Sequence, residues 1–166
     1  MSDAITAMTL QGRAQVQSAW RAALLDLQAA ASARTAVITC IDSDFSHWPL
    51  SEPAVLHSLT QWLRTPGRQL RLLALDFAVT ARTQPGFARW RRDWGHALSC
   101  ASPPEPLRRS WQSLLLTGTV AVELLDAAQW RGRVQSAPAV LQAWIHEADA
   151  FAQRCEPAWP VTTLGL

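Results

Sequence analysis

The chain is expected to form an α/β domain built on a single mixed β-sheet flanked by helices. Two features of the sequence carry that expectation. In about the first hundred residues, short β-branched apolar runs alternate with segments whose apolar residues recur at helical spacing, the pattern of parallel strands joined by helical crossovers. Beyond Pro103 and Pro104, strand-like runs follow one another without an intervening helix, which implies antiparallel pairing. A length of 166 residues suits one well-buried core better than two.

The elements follow in order. Leu10, Val16, Trp20, Leu24 and Leu27, with alanines between them, predict a helix over residues 9–31 that ends near Arg34. Residues 35–41 are short, apolar and β-branched, so they read as a buried strand stopping at Asp42-Ser43-Asp44. Pro49 to Pro53 is loop, with Ser51 placed to cap a helix striped by Val55, Leu56, Leu59, Trp62 and Leu63. Pro66-Gly67 ends it. Residues 71–77 form a second strand, again carrying an acid at its end, Asp76.

A third helix from about Pro85 places Phe87, Trp90, Trp94 and Ala97 or Leu98 on one side and Arg89, Arg92, Asp93 and His96 on another. Pro103, Pro104 and Pro106 stiffen the connection that follows. Residues 113–116 and 120–125 read as a strand pair turned at Thr117-Gly118, and residues 129–134 add a further short strand. Pro138 opens a last helix striped by Val140, Leu141, Trp144, Ile145, Ala148 and Phe151, and Pro157 closes it. Residues 1–33 are thus an N-terminal helix packing on a domain of residues 34–166, one structural unit overall.

Composition narrows the function classes. An apolar share of 49% with 17% charged residues is globular rather than disordered. No apolar run approaches the roughly 20 residues of a membrane span, and the N-terminus lacks the order of a signal peptide, so a cytoplasmic setting and no membrane partner are expected. The three cysteines, Cys40, Cys100 and Cys155, are odd in number and widely spaced, which fits neither a disulfide framework nor a paired zinc site. All fifteen basic residues are arginine, so no chemistry that needs a lysine ammonium is open to the chain. A formal charge of +2 is too small to argue for nucleic acid by itself.

Asp42, Asp44 and Asp76 fall just after strands, where open α/β sheets bind ligands, and three acids there suit a divalent cation. The plainer reading is that they shape turns and cap helices. His47, beside Asp44 and Trp48, is the histidine kept as a possible ligand-binding residue; the others have no metal-ligand spacing. Arg89 and Arg92, interleaved with Trp90 and Trp94, suit a nucleic-acid surface. Helical spacing favours instead a solvated face, with Arg89 and Asp93 paired four residues apart. Nine tryptophans with no tyrosine point to a tryptophan-rich core or a dimer surface.

Residues 110–118, Ser-Trp-Gln-Ser-Leu-Leu-Leu-Thr-Gly, have the length and hydrophobic run of the phospholipase D signature His-x-Lys-x-x-x-x-Asp-Gly. With the strand into Asp-x-Asp, the second strand ending Leu75-Asp76, the arginine-rich helix from Phe87 and the Cys155-Glu156-Pro157 end, the chain from about residue 34 resembles a bacterial domain similar to one half of a phospholipase D-type protein. In catalytic members the histidine attacks phosphorus, the lysine stabilises the phosphoryl oxygens, and two copies meet in a dimer. By spacing, the degenerate signature here is Ser110, Gln112, Thr117 and Gly118. Serine without an adjacent base is a poor nucleophile, and neutral glutamine lacks the charge that phosphoryl transfer uses.

The resemblance therefore implies a non-catalytic phospholipase D-like binding or assembly domain, a homodimer without cofactor or metal, open to a protein partner, with nucleic acid not expected. Trp111 and the run Leu114 to Leu116 are the expected dimer surface. A metal-dependent phosphate-ester hydrolase is the alternative. Residues 37–44 resemble the first motif of haloacid dehalogenase-type phosphatases, with Asp42 as nucleophile and Asp44 as acid/base, but that family's lysine and later acidic pair are missing. A weak nucleic-acid binder using Arg89 and Arg92 is the third reading.

Overall fold

In the computed structural model, residues 7–28, 35–104 and 112–161 are described. Eight strands form one sheet: β1 (Ala7–Gln11), β2 (Val37–Asp42), β3 (Gln69–Ala74), β4 (Leu98–Ser102), β5 (Ser113–Leu116), β6 (Ala121–Asp126), β7 (Arg131–Gln135) and β8 (Glu156–Pro157). Their order across the sheet is β1-β7-β6-β5-β2-β3-β4-β8. β2, β3 and β4 run parallel, while β5, β6, β7 and β1 extend the sheet antiparallel from β2. This is the mixed sheet the sequence predicts, with the change from parallel to antiparallel at the β2–β5 pair.

Among the described residues, the sheet is flanked by α1 (Arg13–Leu25), α2 (Pro53–Leu63), α3 (Phe77–Thr83), α4 (Pro85–Trp90) and α5 (Pro138–Gln153). Alternation along the strands divides the core in two. Ile38, Cys40, Leu70, Leu72, Leu115 and Val122 face one side, where Trp20, Leu24, Leu59, Trp62 and Phe87 of α1, α2 and α4 bury them. Ile41, Leu73, Leu114, Leu116 and Ala121 face the other, under Leu141 and Ala148 of α5. Two ion pairs lie on the α5 side. Arg71 of β3 reaches Asp149 of α5 at 2.7 Å, and buried Glu123 of β6 pairs at 2.7 Å with Arg133, directly opposite it on β7.

Four expectations need correction. The long first helix is a strand and a helix, because Gly12 adopts φ 88°, a left-handed conformation that cannot sit inside a helix; its N–H bonds the Trp130 carbonyl instead. Ser51 does not cap α2. Glu52 holds that position, with Pro53 behind it, and its side chain makes a two-point ion pair with Arg21 of α1, while Ser51 Oγ accepts the N–H of Phe87 in α4. The third helix, expected from about Pro85, is one short helix, α4, followed by a 3-10 turn (Arg91–Trp94), after which Leu98 belongs to β4; Phe77, expected in the second strand, instead opens α3. The Arg89–Asp93 ion pair does not form, since Asp93 lies on the turn and the i,i+4 spacing of a continuous helix is lost.

The dimer surface expected at Leu114 to Leu116 is also corrected. All three leucines are buried within the single chain, because β5 lies between β6 and β2 with both faces covered. Trp111 and Ser110 lie outside the described residues.

Candidate functional site

The carboxyl ends of β2 and β3 and the start of β5 meet at one end of the sheet. Asp42 closes β2. Its Oδ2 accepts the backbone N–H groups of Asp44 (3.1 Å) and Phe45 (2.8 Å), a turn that aspartate favours by reaching its own backbone two residues on. It holds Phe45 at φ 58°. Asp44 repeats the arrangement with the Ser46 N–H at 2.9 Å. Asp76 caps α3, accepting from Ala78 and Val79. All three predicted acids therefore sit at strand ends, and all three accept backbone N–H groups. Among the described residues no group of three or more His, Cys, Asp or Glu side chains is placed to hold a metal ion.

Burial pushes the Asp42 carboxyl above the ordinary carboxylate range, and the N–H groups of Asp44 and Phe45 pull in the opposite direction. The Ser113 hydroxyl and Trp48 indole also favour its ionised form, although neither closes a hydrogen bond of ordinary geometry. The folded chain thus holds this proton more tightly than the unfolded chain. The stability that the proton contributes is complete below the ordinary carboxylate pKa and is lost as pH rises through the raised folded value. Asp42→Asn, which cannot titrate, is expected to remove this slope: urea midpoints of wild type and variant should diverge as pH rises above the ordinary carboxylate pKa, with wild type losing ground. Asp42→Ala leaves two N–H groups without their acceptor and is expected to destabilise by about 1–3 kcal/mol.

His47 is not brought to these acids. It is exposed, edge-on to Trp130 at 5.4 Å, and it lines a cleft of about 240 Å³ with Arg13, Arg21, Ser46 and Glu52 that includes none of the three aspartates. What holds the 45–51 loop in place is a residue the sequence does not advertise. Gln84 is 4% exposed, donates through Nε2 to the carbonyls of Phe45 (2.8 Å) and Trp48 (2.7 Å), and accepts the Ser51 N–H.

The positions that spacing aligns with the signature flank β5 at its two ends. Gln112, at the acid end, accepts the Ala127 N–H at 2.7 Å and so fixes the β6–β7 turn. Thr117 and Gly118 lie about 16 Å away by strand rise, at the opposite end of β5. There Thr117 is buried and bonds Val120 across the turn, and Gly118 adopts φ 92°. Arg89 and Arg92 are exposed, whereas Arg91 between them is buried.

No protein-family model and no curated protein matches the chain. Solved structures do. An archaeal chromatin protein, TrmBL2, whose structure shows a novel mode of DNA binding, superposes with a TM-score of 0.65 at 12% identity over 92% of this chain. The match takes in 54% of that protein, so this chain spans about half its length. Nuc, a phospholipase D family member from Salmonella typhimurium, superposes with a TM-score of 0.55 at 13% identity, covering 93% of this chain and 99% of Nuc. The fold is phospholipase D-like. No helix among the described residues is long and apolar enough to cross a membrane.

Proposed function

We propose that the chain is a catalytically silent phospholipase D-like domain that acts as a binding or assembly module and works as a homodimer. The observation that carries this reading is the use to which the signature positions are put. Gln112 and Thr117 close turns at opposite ends of β5, and the chain holds no lysine anywhere to neutralise a phosphoryl group. The aspartates at the acid end are likewise engaged by backbone N–H groups rather than gathered on a shared point, which weighs against the hydrolase using Asp42 and Asp44. Leu75 and Leu125, among the most exposed large apolar residues, both lie at this same end of the sheet and suit contact with a second copy.

Bis(p-nitrophenyl) phosphate tests the silent site directly. No release of nitrophenolate above buffer is expected, with or without magnesium. Turnover abolished by Ser110→Ala would restore the phosphodiesterase, and magnesium-dependent turnover abolished by Asp42→Asn would promote the hydrolase. The exposure of Arg89 and Arg92 favours a second reading, weak binding of nucleic acid, and the structural likeness to a DNA-binding protein agrees with it. Under that reading, duplex affinity should fall steeply with salt, and Arg89→Ala with Arg92→Ala should flatten the slope by about one unit each.

A further inference from the structure

An open cleft of about 590 Å³ lies at the β4 edge of the sheet, between the Arg91–Trp94 turn and the Pro157–Val161 segment. That volume is typical of small-molecule sites. Arg91 lines it and is only 6% exposed. Its guanidinium stacks on the Trp159 ring at 3.9 Å and donates to the Trp159 carbonyl, yet its Nε is buried with no hydrogen-bond partner. The ion pairs among the described residues, Arg21–Glu52, Arg71–Asp149 and Arg133–Glu123, leave it out. A buried cation without a counter-ion is costly, and an acceptor supplied by a ligand removes that cost. Trp159 itself holds φ 49°, a strained conformation for a bulky side chain, of the kind that collects at ligand clamps.

We propose that this cleft binds a small molecule carrying one carboxylate on an apolar body. The carboxylate would meet Arg91, with Arg92 at the exposed rim adding positive charge beside the one acid of the lining, Asp93. The body would lie along Leu98, Ala158, Trp159 and Val161, which make the rest of the wall largely apolar. A phosphate is the weaker fit, because one buried guanidinium already bonded to a carbonyl offers too few donors for its oxygens. The inference is independent of the assembly reading: the cleft shares no residue with β5 or the acid end, and an empty cleft would leave the dimer untouched.

Isothermal titration of the full chain with octanoate, 1-octanol and inorganic phosphate tests it. Octanoate is expected to bind saturably at one site, at least about tenfold more tightly than 1-octanol, with phosphate weaker than octanoate. Arg91→Gln should weaken octanoate at least about tenfold. Because a buried arginine also supports packing, Arg92→Glu at the exposed rim provides a second variant that keeps the fold. It should weaken octanoate about threefold or more by placing a like charge beside the carboxylate, while leaving 1-octanol unchanged. Absence of saturable octanoate binding, equal affinity for octanoate and 1-octanol, phosphate binding more tightly than octanoate, or undiminished octanoate binding by Arg92→Glu would each overturn the proposal.

Discussion

Gly118→Ala is expected to cost about 3 kcal/mol of stability. Two effects add at this position. The backbone holds φ 92°, which costs an L-residue roughly 1–2 kcal/mol, and an added Cβ would meet Thr35 Oγ1 at 1.9 Å and Thr35 Cβ at 2.8 Å. Threonine is stiff at χ1 and cannot swing far aside, so the overlap adds a packing cost of order 1–3 kcal/mol. Urea unfolding checks the total, and a second substitution divides it. Thr35→Gly in the Gly118→Ala background should recover the steric share and leave the backbone share, a coupling visible in a double-mutant cycle. A cost below about 0.5 kcal/mol would show that this turn does not need glycine. Gly118 is thus kept by turn geometry.

Gln84→Met should be nearly as damaging, at about 3 kcal/mol. The substitution keeps the shape and removes every polar contact. The Ser51 N–H, for which Gln84 Oε1 is the acceptor at 3.2 Å, and the Trp48 carbonyl, held at 2.7 Å, would then be unsatisfied at a cost of about 1–3 kcal/mol each. The Phe45 carbonyl keeps its bond from the Trp48 N–H and suffers less. The loop carrying Asp44 and His47 should loosen first, so amide exchange at Phe45 to Ser51 should quicken before global stability is lost. Unchanged exchange there, with an unchanged urea midpoint, would contradict the role assigned to Gln84.

These two residues mark where the sequence is readable and where it is not. The β2 strand, the β5–β6 hairpin and α5 are legible because each carries its own signal: a β-branched run into an acid, a Thr-Gly turn between apolar runs, and a proline followed by a long apolar stripe. β1 is not, because Leu10 happens to extend the stripe of α1, and only the positive φ of Gly12 separates them. β4, Leu-Ser-Cys-Ala-Ser, lacks strand-forming side chains and owes its conformation to pairing with β3. The strand-end acids are legible because their turns are local. Gln84 is not, because its partners lie 33 to 39 residues earlier in the chain, and no periodicity connects them. The leucines of β5 are apolar for the core, which residue type alone cannot distinguish from an interface.

The mass of the chain in solution tests the assembly reading most directly. Light scattering at micromolar concentration should return twice the 18.3 kDa of a single chain, and Leu75→Arg with Leu125→Arg, at exposed positions of the acid end, should shift that mass toward one chain without changing the circular dichroism. A wild-type mass of 18.3 kDa at concentrations well above micromolar would contradict the account.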